Sequence, residues 1–198
     1  DMTPEEFDND LTLALDSLEN IIGEKIKSFR APSFTITENT PWAFEILAKH
    51  GIENDCSIFP STRSYGGYPS FGEGKPSIIQ ANCSNLYELP MNTMSVFGKD
   101  IVYSGGGYFR LFPYFLIKNQ IKKDDYVMTY LHMRDFDYMQ PKFNHFTWER
   151  TFKSYYGLKG AFSKFKRLIS SFEWINVRDA VDRIDWKSAK TIYINNNL

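Results

Sequence analysis

Phe7, Leu11, Leu15, Leu18 and Ile22 recur at three- and four-residue spacing, the period of one face of an α-helix. Thr3 stands where an N-cap is wanted, Pro4 suits the first helical position, and Glu5 and Glu6 complement the positive end of the helix dipole. Gly23 follows the last periodic residue as a stop. The pattern predicts an amphipathic helix over 4–22. KIKSFR (25–30) is short and reads as a strand. ENTPWAFEILAKHG (38–51) repeats the helical pattern, with Thr40 as cap, Pro41 opening and Gly51 closing. DCSIF (55–59) reads as the next strand. Strand, helix and strand joined by short links predict an α/β layered or barrel fold.

The texture then changes. Residues 60–77, PSTRSYGGYPSFGEGKPS, concentrate Gly, Pro, Ser and Tyr and predict a long loop, a kind of segment that usually carries function or mobility. LYELPM (86–91) reads as a strand. Residues 103–123 run from a glycine turn into a helix kinked at Pro113. YVMTYLHM (126–133) reads as a strand with His132 at its end. GLKGAFSKFKRLISSF (157–172) predicts a basic amphipathic helix with Phe162, Phe165, Leu168 and Ile169 on one face. EWINV (173–177) reads as a short strand and VRDAVDRI (177–184) as a last helix. There is no internal repeat and no low-complexity tract.

The 198 residues suit one domain or part of a larger one, and 42% hydrophobic residues suffice for a core. A net charge of −1 argues against a nucleic-acid partner. Cys56 and Cys83 make no disulfide framework; free buried thiols are the default, with one disulfide as the alternative. No apolar run approaches the roughly 20 residues of a membrane helix. DMTPEEF has neither the basic nor the apolar region of a signal peptide. It reads like the middle of a protein, so a fragment is expected, and the cytoplasm is the expected compartment.

Several residues carry candidate chemistry. His132, at a predicted strand end, is placed to donate a proton to a leaving group; a core histidine bonded to a carbonyl is the competing reading. Arg30 and Asp55 fall at the ends of consecutive strands, as a structural ion pair or as an arginine that orients a carboxylate. SGGGYFR lacks the lysine and hydroxyl of a P-loop and the spacing of a dinucleotide fingerprint. It is a tight turn, or a set of helix-start amides for an anion or carbonyl oxygen. His50 and His145 match no metal spacing, and Asp124 and Asp125 read as a solvated turn. The aromatics of 65–71 either stack on sugar rings or pack on the surface.

Taken in order, DMTPEEF, FRAPSFTIT, NDCSIFPS, YELPM, SGGGYFRLFPY and YLHMRDFD resemble the polysaccharide deacetylases. The likeness is to the branch associated with exopolysaccharide and surface-glycan synthesis. It implies the later portion of a distorted (β/α) barrel over 1–150 and a helical C-terminal extension over 151–198. It implies hydrolysis of N-acetyl groups on a polysaccharide or its lipid-linked precursor, with one divalent metal, zinc by preference. In that reading Arg30 orients the catalytic aspartate and His132 protonates the leaving amine. Asp55 matches the motif that builds a groove wall, and Phe34, Tyr65, Tyr68, Gly106 and Tyr108 are the substrate-binding candidates.

The chain departs from the family pattern. It contains neither the paired-aspartate motif nor the His-x-x-x-His motif, hence neither the base nor the three protein metal ligands. Met133 and Arg134 follow His132 where the family often has Pro-Trp. No metal is therefore expected in this chain, only in a full-length parent. The favoured expectation is the C-terminal portion of an active enzyme, inactive alone; the other is a metal-free, non-catalytic glycan-binding relative. The partner is an acetylated oligo- or polysaccharide, with no membrane span. Sheet edges left open by missing strands would call for a homo-oligomer or for the missing N-terminal segment.

Overall fold

The computed structural model describes residues 2–63, 65–81, 84–96 and 98–194. It is a mixed α/β structure that divides into two compact units, Asp1–Pro90 with Ala180–Leu198, and Met91–Asp179. Neither boundary falls at residue 150.

In the first unit, α1 (Pro4–Ile22) has the bounds its apolar period predicts. The Thr3 hydroxyl accepts from the Glu6 amide, the Glu6 carboxylate accepts from the Thr3 amide, and Gly23 closes the helix at φ +77°. α2 (Trp42–Lys49) begins one residue beyond the proline, and no side chain caps it, because the Thr40 hydroxyl is turned to the Thr37 amide. Phe7 meets Trp42 edge-on at 5.8 Å, and Asp8 pairs with Lys49 and His50, so α1 lies against α2.

The strands are β1 (Ser28–Phe29), β2 (Asn54–Asp55), β3 (Ser77–Ala81), β4 (Ser84–Glu88) and, late in the chain, β7 (Lys190–Tyr193). Their order is β1-β2-β4-β3-β7, and only the β3–β4 pairing is antiparallel. The ends of β1 and β2 place Arg30 and Cys56 side by side. The core is Leu11, Leu15, Phe44, Leu47, Ile58, Ile79 and Leu86 with their neighbours. Cys56 is a free buried thiol, pushed up to about 11 by burial; Cys83 lies outside the described residues.

The second unit holds a hairpin of β5 (Met94–Val96) and β6 (Lys99–Ile101), then α3 (Gly106–Leu111), α4 (Tyr114–Ile121), α5 (Trp148–Tyr155) and α6 (Leu158–Ile169). α7 (Val177–Arg183) crosses the boundary between the units. The kink expected at Pro113 is a full break, because the residue before a proline is driven out of the α region and Phe112 adopts φ −74°, ψ 141°. Tyr103, Phe109, Ile117, Ile121 and Leu168 form this unit's core.

Four expected strands change. KIKSFR and DCSIF contribute two strand residues each, since the chain turns away once the end of the sheet is reached. YVMTYLHM is not a strand. A single Gly105–Tyr130 bridge touches it, and the Asn92 and Ser104 side chains satisfy Tyr126 and Met128 where a ladder would. EWINV is irregular as well. The sheet also contains β3 and β7, which the periodicity did not announce.

Candidate functional site

The candidate residues fall into two groups, one in each unit. In the first, Arg30 leaves β1 and its Nε donates to the Cys56 carbonyl at 3.2 Å. Behind it, Asp55 is fully buried and accepts from the Ser57 amide at 3.0 Å and the Ser57 hydroxyl at 2.6 Å. The Ser57 oxygen in turn accepts from the Ala31 amide at 2.8 Å. Asp55 and Glu88 are register partners across β2 and β4, and Glu88, also fully buried, accepts from the Ile58 amide at 3.2 Å. Burial and the neighbouring Asp55 charge hold the Glu88 carboxyl well above its usual range, so it keeps a proton. Burial raises Asp55 too, against the Glu88, Ser57 and Cys56 donors. The groove-wall candidate is thus an interior group that braces the backbone at the end of the sheet.

Glu88 gives this unit a pH signature. Its folded pKa lies above the unfolded value, so its contribution is fully present below about pH 4.5 and is lost as pH rises toward the folded value. The surface carboxylates Glu6, Asp8, Glu19 and Glu38 are lowered, so their contribution is lost only as pH falls below the ordinary carboxylate range. Glu88→Gln, neutral at every pH, is expected to flatten the fall of the urea midpoint as pH rises above about 4.5. An unchanged slope would contradict the protonated assignment.

The other candidates here are held by the long loop. Phe34 is buried, tilted against Phe59 at 5.3 Å, and the Arg63 guanidinium lies over both rings. Ser33 and Phe34 both take left-handed backbone, φ 56° and 58°, a strained conformation that the surroundings must enforce. Arg63 donates to the Ser33 carbonyl and Gly67 to the Phe34 carbonyl. At Gly66, φ +68°, an added Cβ would sit 2.1 Å from the Phe34 oxygen. Gly66→Ala is therefore expected to displace this turn and lower the melting temperature by several degrees; an unshifted melting curve would show that the loop does not hold it. Phe34 is core, Tyr68 is half-buried against Phe71, and Tyr65 is 81% exposed.

In the second unit His132 opens a short helical turn (Met133–Asp135), and its side chain is half exposed, at 52%. The buried Asp135 carboxylate accepts from the His132 amide at 3.0 Å and stands 3.7 Å from Nδ1. Its other oxygen lies 3.3 Å from Arg110 Nε. Arg110, buried on α3, donates to the carbonyls of Lys153, Ser154 and Tyr156 at the end of α5. The Tyr130 ring meets the His132 ring edge-on at 4.5 Å. Gly105 permits this arrangement, because a Cβ there would sit 2.3 Å from the Tyr130 oxygen. The Gly106 amide donates to that same oxygen, so it is not available as part of an anion cradle. Tyr108 is partly exposed and stacks on Phe112 at 5.9 Å.

Chemically, His132 is a half-exposed imidazole with a buried carboxyl group 3.7 Å from Nδ1, a type of group able to serve proton transfer. Glu88, Asp135 and Arg110 were not singled out from sequence. Glu88 and Arg110 gave a signal only as charged residues inside apolar stretches, YELPM and GYFRLF, and Asp135, in the polar HMRDFD, gave none. Among the described residues no three His, Cys, Asp or Glu side chains come together to hold a metal ion. The residues at hand do not fit the divalent metal that the resemblance implies, and no step below runs through it. No helix of the described residues is long and apolar enough to cross a membrane.

No curated protein and no solved structure matches the chain. A protein-family model does match, over residues 56–182, a span that takes in Asp55's neighbours, the glycine turn and His132. With well over half its length matched, the chain belongs to the family described as Domain of unknown function (DUF3473).

Proposed function

We propose that this chain supplies the leaving-group side of a metal-dependent N-deacetylase acting on a polysaccharide or its precursor. The base and metal ligands come from residues outside it, and the whole has a deacetylase-type barrel. The observation that carries the reading is His132, half exposed and backed by a buried carboxylate that an arginine fixes. In the proposed step the C–N bond of the tetrahedral intermediate breaks and its electron pair leaves with the nitrogen, which takes the imidazolium proton and departs as the free amine, while an oxygen lone pair re-forms the carboxyl group of acetate. Asp135 holds the His132 backbone through its amide, and Arg110 pairs with Asp135 from the other side. In the same reading Arg30, anchored on the Cys56 carbonyl, presents its guanidinium at the end of the parallel strands, where α/β folds gather their sites.

The test is acetate release from N-acetylated oligosaccharides, with zinc or cobalt, by the full-length product of the gene and by this chain alone. The full-length product is expected to release acetate and this chain to release none. Sugar binding by the full-length product without acetate would replace the reading with that of a non-catalytic glycan-binding relative.

A further inference from the structure

α5 is a surface helix in an unusual sense: none of its residues is buried. Thr147 caps its start, accepting from the Arg150 amide, and Arg110 holds its last carbonyls. Hydrogen bonds and caps, not burial, fix it in place. Yet one face is apolar. Trp148, Phe152 and Tyr156 follow one another at four-residue spacing and touch ring to ring, at 6.0 and 4.7 Å, while 79%, 41% and 48% exposed. The neighbouring α6 has a comparable pattern but buries Leu158, Ala161 and Leu168 in the unit's core. The stripe on α5 has no such cover among the described residues.

Charge says what kind of surface would cover it. Between residues 142 and 167 the sole acidic residue is Glu149. Lys142, Arg150, Lys153, Lys159, Lys166 and Arg167 are all exposed there. A seventh cation, Lys164, is turned inward onto the carbonyls of Phe109, Arg110 and Phe112. An aromatic stripe led by Trp and bordered by Lys and Arg is the chemistry of a helix lying in the headgroup region of an anionic bilayer. Tryptophan and tyrosine favour that zone because one part of the ring system is apolar and the other can stay wet.

We propose that α5 and the adjoining basic residues of α6 form a docking surface for an anionic lipid bilayer. The aromatic stripe enters the headgroup boundary and the cations meet lipid phosphates. The inference does not depend on the deacetylation reading, and neither activity nor metal enters its test.

Flotation with vesicles of phosphatidylcholine alone, and of phosphatidylcholine with added phosphatidylglycerol, reads it directly. The chain is expected to float with the anionic vesicles at low salt, not with the neutral ones, and to be released at high salt. Trp148→Ser with Phe152→Ser is expected to cut partitioning at least ~10-fold. Arg150→Glu and Lys153→Glu are each expected to cost about 5-fold or more. All four side chains are exposed, and an unchanged far-ultraviolet circular dichroism spectrum confirms that the variants fold. Failure to float with anionic vesicles at low salt overturns the proposal, as does flotation indifferent to the loss of Trp148 and Phe152. Self-association that Trp148→Ser with Phe152→Ser abolishes, without vesicle binding, overturns it in favour of a second copy of the chain.

Discussion

Replacing Arg110 with alanine is expected to destabilise the Met91–Asp179 unit by about 3–5 kcal/mol, the usual consequence of deleting one member of a buried ion pair. The guanidinium donates to three carbonyls at the C-terminal end of α5, at 2.8–3.0 Å, and stands 3.3 Å from the buried Asp135. Alanine leaves those carbonyls without their donor and Asp135 without its countercharge. Burial pulls the Arg110 pKa below the ordinary guanidinium value, while Asp135 opposes that pull, so the arginine remains charged. Lysine is no substitute, because a single ammonium cannot span the α5 terminus and Asp135 with a planar fork. The readout is hydrogen exchange of α3 and α5 amides together with the thermal midpoint. A loss below about 1 kcal/mol would mean the network is a surface decoration.

Replacing His132 with alanine in the full-length protein is expected to lower acetate release from N-acetylated sugar about 10²–10⁴-fold, the range for losing a positioned acid or base. The side chain is half exposed and its ring contact is the edge-on Tyr130, so folding and metal content should be unchanged. The assigned role also predicts a dependence on the leaving group. An amine cannot depart as an anion and needs the proton, whereas an activated aryl acetate releases its phenolate without one. The variant should therefore lose far less on the aryl ester than on the sugar amide. Equal losses on both would assign His132 to binding, and loss of metal would assign it to the metal site.

The amphipathic elements were legible because their apolar residues keep strict spacing. α1 is bounded as its Thr3, Pro4 and Gly23 predict, and α6 starts and ends close to its periodic run. What failed was the assignment of YVMTYLHM. Apolar residues recur in that segment because the partly buried Val127 and Leu131 pack against the unit's core, but its backbone is satisfied by Asn92 and Ser104, a partnership no local pattern encodes. The site was legible in part. Histidine 132 stood out by residue type and position, whereas Asp135 and Arg110 acquire meaning only when α3 is brought against the turn after His132, twenty-odd residues on. Glu88 was hidden in the same way: an acid in YELPM looks solvated until the β2–β4 register places it opposite Asp55 with both side chains buried. Phe34 was a substrate-binding candidate through the resemblance alone; in the structure the Gly66–Gly67 turn and Arg63 fold over it and it is buried. Long-range pairing set each of these outcomes, and sequence spacing carries none of it.

The most direct measurement of the central claim is acetate release from an N-acetylated oligosaccharide by the metal-loaded full-length protein, wild type beside His132→Ala at equal metal content. The account predicts steady release by the wild type and a loss of about 10²–10⁴-fold in the variant. Equal rates for the two proteins would contradict it.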